Sequence, residues 1–226
     1  MDQMKRLAVY YAPRPGPLAT ATAEWLGWDP VAGDMRPQPD LPGIPYPAIL
    51  TAEARRYGFH GTIRAPFRLA PGVTLAEAAG TVAALAPRLP PVQCQGLHLE
   101  NLHGFLALTP KGCEAALLEL GAAVVEGTNP LRAALTEDEI ARRRPDQLSP
   151  RQRELLDLWG YPQVMEEFRF HLTLTDRLPD PAPVLQVLGP YFAPVLPTPF
   201  VIQDLCLFGE DSGGRFHLLR RHALTG

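Results

Sequence analysis

Three cysteines in 226 residues are too few, and too odd in number, for a disulfide framework, and Cys94, Cys113 and Cys206 form no C-x-x-C pair. They read as small packing residues, Cys206 above all, since it lies in the apolar run Asp204-Leu205-Cys206-Leu207-Phe208. That usage fits a reducing, cytoplasmic setting. Charge of one sign is lacking too. The formal net charge is −3, so no global positive field draws the chain to nucleic acid or membrane. No apolar run approaches the ~20 residues of a membrane-spanning helix. The apolar residues behind Met1-Asp2-Gln3-Met4-Lys5-Arg6 are too few for the core of a signal peptide. Lys-rich or aromatic-interleaved patches, the footprint of extended RNA binding, are missing as well.

What is there is ordinary globular material: 46% hydrophobic and 20% charged residues, enough to bury a core as one domain or two similar lobes. The 26 prolines are scattered between periodic segments and therefore mark turns. A strand is predicted over Leu7–Ala12 and a helix over Pro17–Trp28, with residues 29–48 a long surface loop. A short helix near Thr51–Arg56 and a strand from Tyr57 to Leu69 follow. Thr74 with Glu77 is a capping box that opens a helix to about Arg88. Strands over Val92–Leu99 and Gly104–Leu108 form a hairpin, and a helix runs from Lys111 to about Glu126. Residues 130–160 read as a helical insertion: Thr136-Glu137-Asp138-Glu139 caps a basic helix containing Arg142-Arg143-Arg144, and Ser149-Pro150 opens another. From Phe168 the earlier order returns: strand (Phe168–Leu178), helix (Ala182–Phe192), strand (Phe200–Phe208), strand (Arg215–Arg221).

That return organises the chain. From Phe59 and again from Phe170 the sequence reads Phe-His-x-Thr followed by an aliphatic residue, then helix, strand, strand. An internal duplication of this kind predicts an α+β fold: two pseudo-symmetric β-α-β-β lobes whose antiparallel sheets form a central cleft, with helices outside. The whole of 1–226 is then one domain, with lobe one about 1–128, the insertion about 130–160 and lobe two about 161–226.

Side chains two apart on a strand share a face. The first strand therefore turns His60, Thr62 and Arg64 one way, and Tyr57, Phe59, Ile63 and Phe67 the other. The second turns Arg169, His171, Thr173, Thr175 and Arg177 one way, and Phe168, Phe170, Leu172 and Leu174 the other. Two imidazoles across a phosphodiester suit acid–base cleavage, one taking a proton from the nucleophile and the other donating to the leaving oxygen. Thr62 and Thr173 can donate to non-bridging oxygens, and Arg64, Arg169 and Arg177 can neutralise charge. The scheme needs no metal and no cofactor. Six histidines and 13 threonines give roughly 0.35 His-x-Thr triplets by chance, so the flanking match and repeated element order carry the case.

One of Tyr10 and Tyr11 faces the cleft, because adjacent strand residues point oppositely; the other is core. Tyr57 has the parity of the core. Arg142–Arg144 is either a solvated face or a basic lid over an anionic substrate. Glu166 and Glu167 read as solvated. His98, His103, His217 and His222 lack a Thr two residues on and any metal-ligand spacing, and read as surface or hairpin residues.

At these residues the chain resembles the two-histidine (2H) phosphoesterase superfamily, which includes cyclic nucleotide phosphodiesterases and RNA 2′,3′-cyclic phosphodiesterase/ligase-like proteins. It is most similar to a branch of phosphonate-metabolism proteins encoded beside carbon–phosphorus lyase genes. The similarity runs through Tyr10-Tyr11-Ala12-Pro13, Arg56-Tyr57-Gly58-Phe59-His60, Leu148-Ser149-Pro150-Arg151-Gln152, Trp159-Gly160-Tyr161-Pro162 and Glu166-Glu167-Phe168-Arg169-Phe170-His171. Where the family commonly has lysine, this chain has Arg64, a planar fork in place of a point charge. The resemblance implies metal-independent cleavage of a cyclic or linear phosphodiester in a small phosphorylated sugar or nucleotide, within phosphonate catabolism. The alternatives are an RNA-end-processing or RNA-binding module using the same cleft, and a non-catalytic sensor of a phosphate ligand. No membrane partner is expected, and the sequence does not specify an oligomeric state.

Overall fold

A computed structural model of the chain describes residues 4–226, and its elements follow the duplicated order. β1 (Leu7–Tyr11) is buried along its whole length and leads into α1 (Pro17–Leu26), which Gly27 ends at φ 74°. The proline-rich segment after it is more ordered than the predicted loop. It holds a short hairpin, β2 (Trp28–Asp29) with β3 (Asp34–Met35), and two single turns of helix, α2 (Pro47–Leu50) and α3 (Ala54–Tyr57). The first repeat is β4 (Gly61–Phe67), α4 (Leu75–Leu85), β5 (Val92–Cys94), β6 (Gly96–Leu102) and β7 (Phe105–Lys111). Then come α5 (Glu114–Thr128), α6 (Glu137–Ala141) and α7 (Pro150–Trp159). The second repeat is β8 (Leu172–Thr173), α8 (Ala182–Phe192), β9 (Phe200–Ile202), β10 (Asp204–Glu210) and β11 (Phe216–Ala223).

Local chemistry fixes the helix starts. Thr74 accepts from the Glu77 backbone while the Glu77 carboxylate accepts from the Thr74 N–H, and Thr136 with Glu139 and Ser149 with Gln152 repeat the arrangement. Four strand expectations need correction. Val92–Leu99 divides into β5 and β6, and Phe200–Phe208 into β9 and β10, because the first part of each turns out of the large sheet to pair with the other. Tyr57 closes α3, and Gly58 (φ 69°) turns the chain before β4 begins at Gly61. The predicted strand Phe168–Leu178 keeps only Leu172 and Thr173 in the ladder. Beyond them Leu174 and Thr175 both donate to the Leu106 carbonyl, and Asp176 donates to Leu50, so the extended chain leaves regular pairing.

Seven strands form one antiparallel sheet in the order β11-β10-β1-β4-β8-β7-β6. It interleaves the sequence halves: β10 and β11 extend from β1 and β4, while β8 inserts between β4 and β7. Gly61 registers on Leu172, its equivalent in the repeat, and the equivalent strands β5 and β9 pair with each other, Val92 on Ile202. Antiparallel pairing of equivalent positions is the mark of a local two-fold axis. β1 shows how the faces divide. Leu7, Val9 and Tyr11 join the large core with residues of α1, α4, α5 and α8, whereas Ala8 and Tyr10 pack with Cys206, Phe208 and Phe216 on the other face. Helices α1, α4, α5 and α8 thus cover one side, and the cleft opens on the other, where α3 lies along its edge.

Cys94 and Cys113 are joined in a disulfide, and Cys206 is free and buried. This corrects the reading of all three as unpaired packing residues, and with it the reason for expecting a reducing compartment. An odd count leaves room for one pair, and a separation of 19 residues carries no recognisable spacing. Among the described residues no helix is long and apolar enough to cross a membrane.

Candidate active site

The site is built where the two repeats meet. Extending the Gly61–Leu172 register one residue each way sets His60 across from Thr173 and Thr62 across from His171. The two histidines are then diagonal neighbours, on the order of 7–8 Å apart along the sheet. Gly61 is what permits this closeness: a Cβ there would stand 2.2 Å from the Phe170 ring. The cleft above the strands has a volume of about 470 Å³, and His60, Thr62 and Thr173 line it with Thr175, Tyr10 and Tyr57. His171 flanks it beside Phe105, whose ring centroid is 5.6 Å away and which lines the cleft.

Both imidazoles are held in the same way. His60 Nδ1 lies 2.9 Å from the Gly58 carbonyl and His171 Nδ1 lies 2.8 Å from the Arg169 carbonyl, in each case two residues back. A carbonyl only accepts, so Nδ1 carries the proton and Nε2 is left as the free ring nitrogen. The surroundings of the two rings differ. Tyr10 stacks on His60 with centroids 4.0 Å apart, and Tyr57 lies 5.7 Å away. Burial under these rings pushes His60 down to about 4; the Gly58 hydrogen bond opposes this and the nearby His171 adds to it. Free His60 is therefore neutral at ordinary pH.

The other expected residues divide. Tyr10 takes the cleft and Tyr11 the core, edge-on to Phe200 at 5.0 Å. Thr175 is buried and its Oγ1 accepts from the Leu106 N–H at 2.9 Å. Arg177 stands at the rim, its Nη1 donating to the His103 carbonyl at 2.5 Å. Tyr57 was expected in the core and instead lines the cleft, stacked on Phe216 at 4.9 Å, because it ends a helix rather than alternating on a strand.

Two arginines are not where strand parity puts them. Arg64 lies outside the cleft, 1% exposed, in a neighbouring pocket. β4 is irregular against β1, Tyr10 registering on Thr62 but Val9 on Arg64, and this bulge turns the side chain away. Arg169 is exposed and spends its Nη1 on the carbonyls of Glu166 and Phe168, which fastens the turn before the second motif. Glu166 itself is paired with Arg151.

Sequence reasoning passed over Arg6, Phe105 and Tyr161 in the cleft wall, and also the carboxylates Glu53 and Asp176. Arg6 is paired with Glu210 at 2.5 Å. Of the basic run, Arg143 reaches the cleft with its guanidinium 4.7 Å over the Tyr161 ring, and Arg142 lines the neighbouring pocket. The charge run and the Trp159-Gly160-Tyr161-Pro162 turn were the available signals for this wall. Among the described residues no cluster of three or more His, Cys, Asp or Glu is gathered as for a metal ion.

Residues 62–217 match the family described as a protein of unknown function, DUF1045, and the chain belongs to that family. Two curated relatives are each named ribose 1,5-bisphosphate phosphokinase PhnN. That of Janthinobacterium sp. (strain Marseille) is 39% identical over 180 residues, covering 78% of this chain and 40% of the relative. That of Laribacter hongkongensis (strain HLHK9) is 37% identical over 224 residues, covering 95% and 51%. The chain thus spans about half, or less, of the length of the curated relatives it matches. Among solved structures, E. coli LigT complexed with 3′-AMP aligns at a TM-score of 0.47 and 15% identity, covering 99% of this chain and 100% of that one. TT0787 of Thermus thermophilus aligns at 0.47 and 17%, covering 98% of each.

Proposed function

We propose that the chain is a phosphodiesterase of the two-histidine type, cleaving a small cyclic or linear phosphodiester without a metal. The observation that carries this reading is the paired motif itself: two His-x-Thr segments opposed about a local two-fold axis, each imidazole fixed by its Nδ1–H and left with a free Nε2. Neutral His60 is the base and His171 the acid. Water gives its proton to His60 Nε2 as its oxygen bonds to phosphorus. The P–O bond to the leaving oxygen breaks, and that oxygen takes the Nε2 proton of His171, which enters the step as the imidazolium and leaves it neutral, its Nδ1–H still on the Arg169 carbonyl. Thr62 and Thr173 donate to the non-bridging oxygens, while Arg143 and Arg177 neutralise charge from the rim. A linear diester gives a phosphomonoester and an alcohol, and a cyclic one gives a single phosphomonoester that carries the freed hydroxyl.

A phosphorylated ribose is the substrate class that agrees with the relatives' name, and a place in phosphonate catabolism follows from the family resemblance. The test is turnover of a panel of ribose and nucleoside cyclic phosphates, with and without EDTA. EDTA is expected to have little effect, and His60→Ala and His171→Ala each to lower kcat by about 10²–10⁴-fold. Loss of activity in EDTA that a divalent ion restores, or near-normal activity of either variant, overturns the mechanism.

A further inference from the structure

We propose, resting on the reading of the cleft just given, that the pocket beside it is a second anion subsite, binding a phosphomonoester group carried by the same substrate. This pocket, of about 220 Å³, is continuous with the cleft, since Arg6, Ala65, Pro66, Arg143 and Tyr161 line both. Its floor is Arg64. That guanidinium is almost wholly buried, yet its Nε and Nη1 have no hydrogen-bond partner among the described residues. Its one hydrogen bond, from Nη2 to Asn129 Oδ1, is long at 3.4 Å, and the face of Phe67 lies 5.4 Å from its central carbon.

Nothing in the wall balances this charge. Arg132 and Arg142 line the same pocket, and Arg132 leans on the same Asn129 oxygen at 3.3 Å. Glu139 is the one carboxylate among the lining residues, and it is taken by Arg68 through two hydrogen bonds of 2.8 and 2.9 Å. Burial and the like charge of Arg132 push Arg64 down to about 10, so it remains a cation at neutral pH. A buried cation with two unsatisfied donors, ringed by further arginines, is costly unless an anion completes it.

A phosphomonoester fits what is offered. It carries a charge of about −1.5 to −2 and three acceptor oxygens, matching the planar fork of Arg64 and the guanidinium groups of Arg132 and Arg142 beside it. Its position also follows. Arg64 stands two residues beyond Thr62 on β4, about 6–7 Å along the strand, so one small sugar reaches from the diester site to the pocket.

Two measurements test the proposal. Calorimetry with ribose 5-phosphate against ribose reads the pocket alone; the phosphate ester is expected to bind at least tenfold tighter, and Arg64→Met and Arg132→Ala to erase most of that difference. Kinetics with a nucleoside 2′,3′-cyclic phosphate bearing or lacking a 5′-phosphate reads the substrate. The wild-type kcat/KM ratio is expected to favour the 5′-phosphorylated form by about a hundredfold, and to collapse toward one in both variants. Arg132 is half-buried on the wall, so its variant keeps the test alive should Arg64→Met misfold. A wild-type ratio near one, a ratio that survives both substitutions, or ribose 5-phosphate binding no tighter than ribose overturns the subsite. Failure of the wild type to turn over either cyclic phosphate sinks the phosphodiesterase reading instead, and the calorimetry still decides the pocket. If a dinucleotide outcompetes ribose 5-phosphate, the occupant is a backbone phosphate and the small-substrate proposal falls.

Discussion

The Tyr10 ring stacked over His60 is part of the burial that holds this imidazole neutral, and so bears directly on the proposed chemistry. The pH consequence has a definite sign. A base that must be neutral loses function as pH falls through its pKa, so the acid limb of kcat/KM, which reports the free protein, is expected near pH 4. Bound phosphodiester favours the imidazolium, so the same limb in kcat lies higher. Tyr10→Leu opens the packing and should move the limb of kcat/KM up toward the ordinary histidine value of about 6.5. A pH profile beside a histidine NMR titration checks this; a limb unmoved in the variant means that burial under Tyr10 is not the cause. The repeated Phe-His-x-Thr motif singled out His60, Thr62 and Thr173, and strand alternation put them on one face, where they line the cleft. Alternation missed Arg64 because a bulge is a feature of the paired strands and leaves no mark on one of them. It misplaced Tyr57 because a single turn of helix ended by Gly58 looks, in sequence, like the start of a strand.

Among the elements, the disulfide between β5 and the cap of α5 has the clearest energetic consequence. The loop it closes contains the β6–β7 hairpin, and a link over 19 residues contributes about 3 kcal/mol by restricting the unfolded chain. Cys94→Ala with Cys113→Ala should lower the stability measured by urea unfolding by about that amount, and a loss under ~1 kcal/mol would mean the link is not formed in solution. Cys206 should not confuse a thiol assay, since burial raises its pKa to about 11 and leaves little thiolate to react. The helices were the readable elements because their signals are local: all three capping boxes are written within four residues. The strands were read less well. Where β8 leaves the ladder depends on Leu106 and Leu50, which lie far away in sequence.

The whole sheet was legible as a duplication but not as an exchange. A repeat in element order predicts two units, whereas pairing decides that β8 of the second unit separates β4 from β7 of the first. That decision rests on hydrogen bonds between distant segments, for which neither periodicity nor composition gives a sign. The interleaving predicts that the halves depend on one another. Fragments 1–144 and 145–226, made separately, should each lack a cooperative unfolding transition, because the first loses the strand at the centre of its sheet. Mixed, they should regain one by circular dichroism. A fragment 1–144 that unfolds cooperatively alone would show that β8 is dispensable.

The near two-fold arrangement of Gly61 against Leu172 also bears on the direction of the reaction. Two imidazoles related by a true dyad would be interchangeable, and either ester oxygen of a cyclic phosphate could depart with equal ease. The Tyr10 stack covers one ring, while the other stands beside Phe105, so the dyad is broken where the proton transfers occur. The proposed reaction thereby acquires regiochemistry: a ribose cyclic phosphate should open to one positional isomer of the monoester, which phosphorus NMR of the product would reveal. An equal mixture of both isomers would mean that the two histidines still trade places.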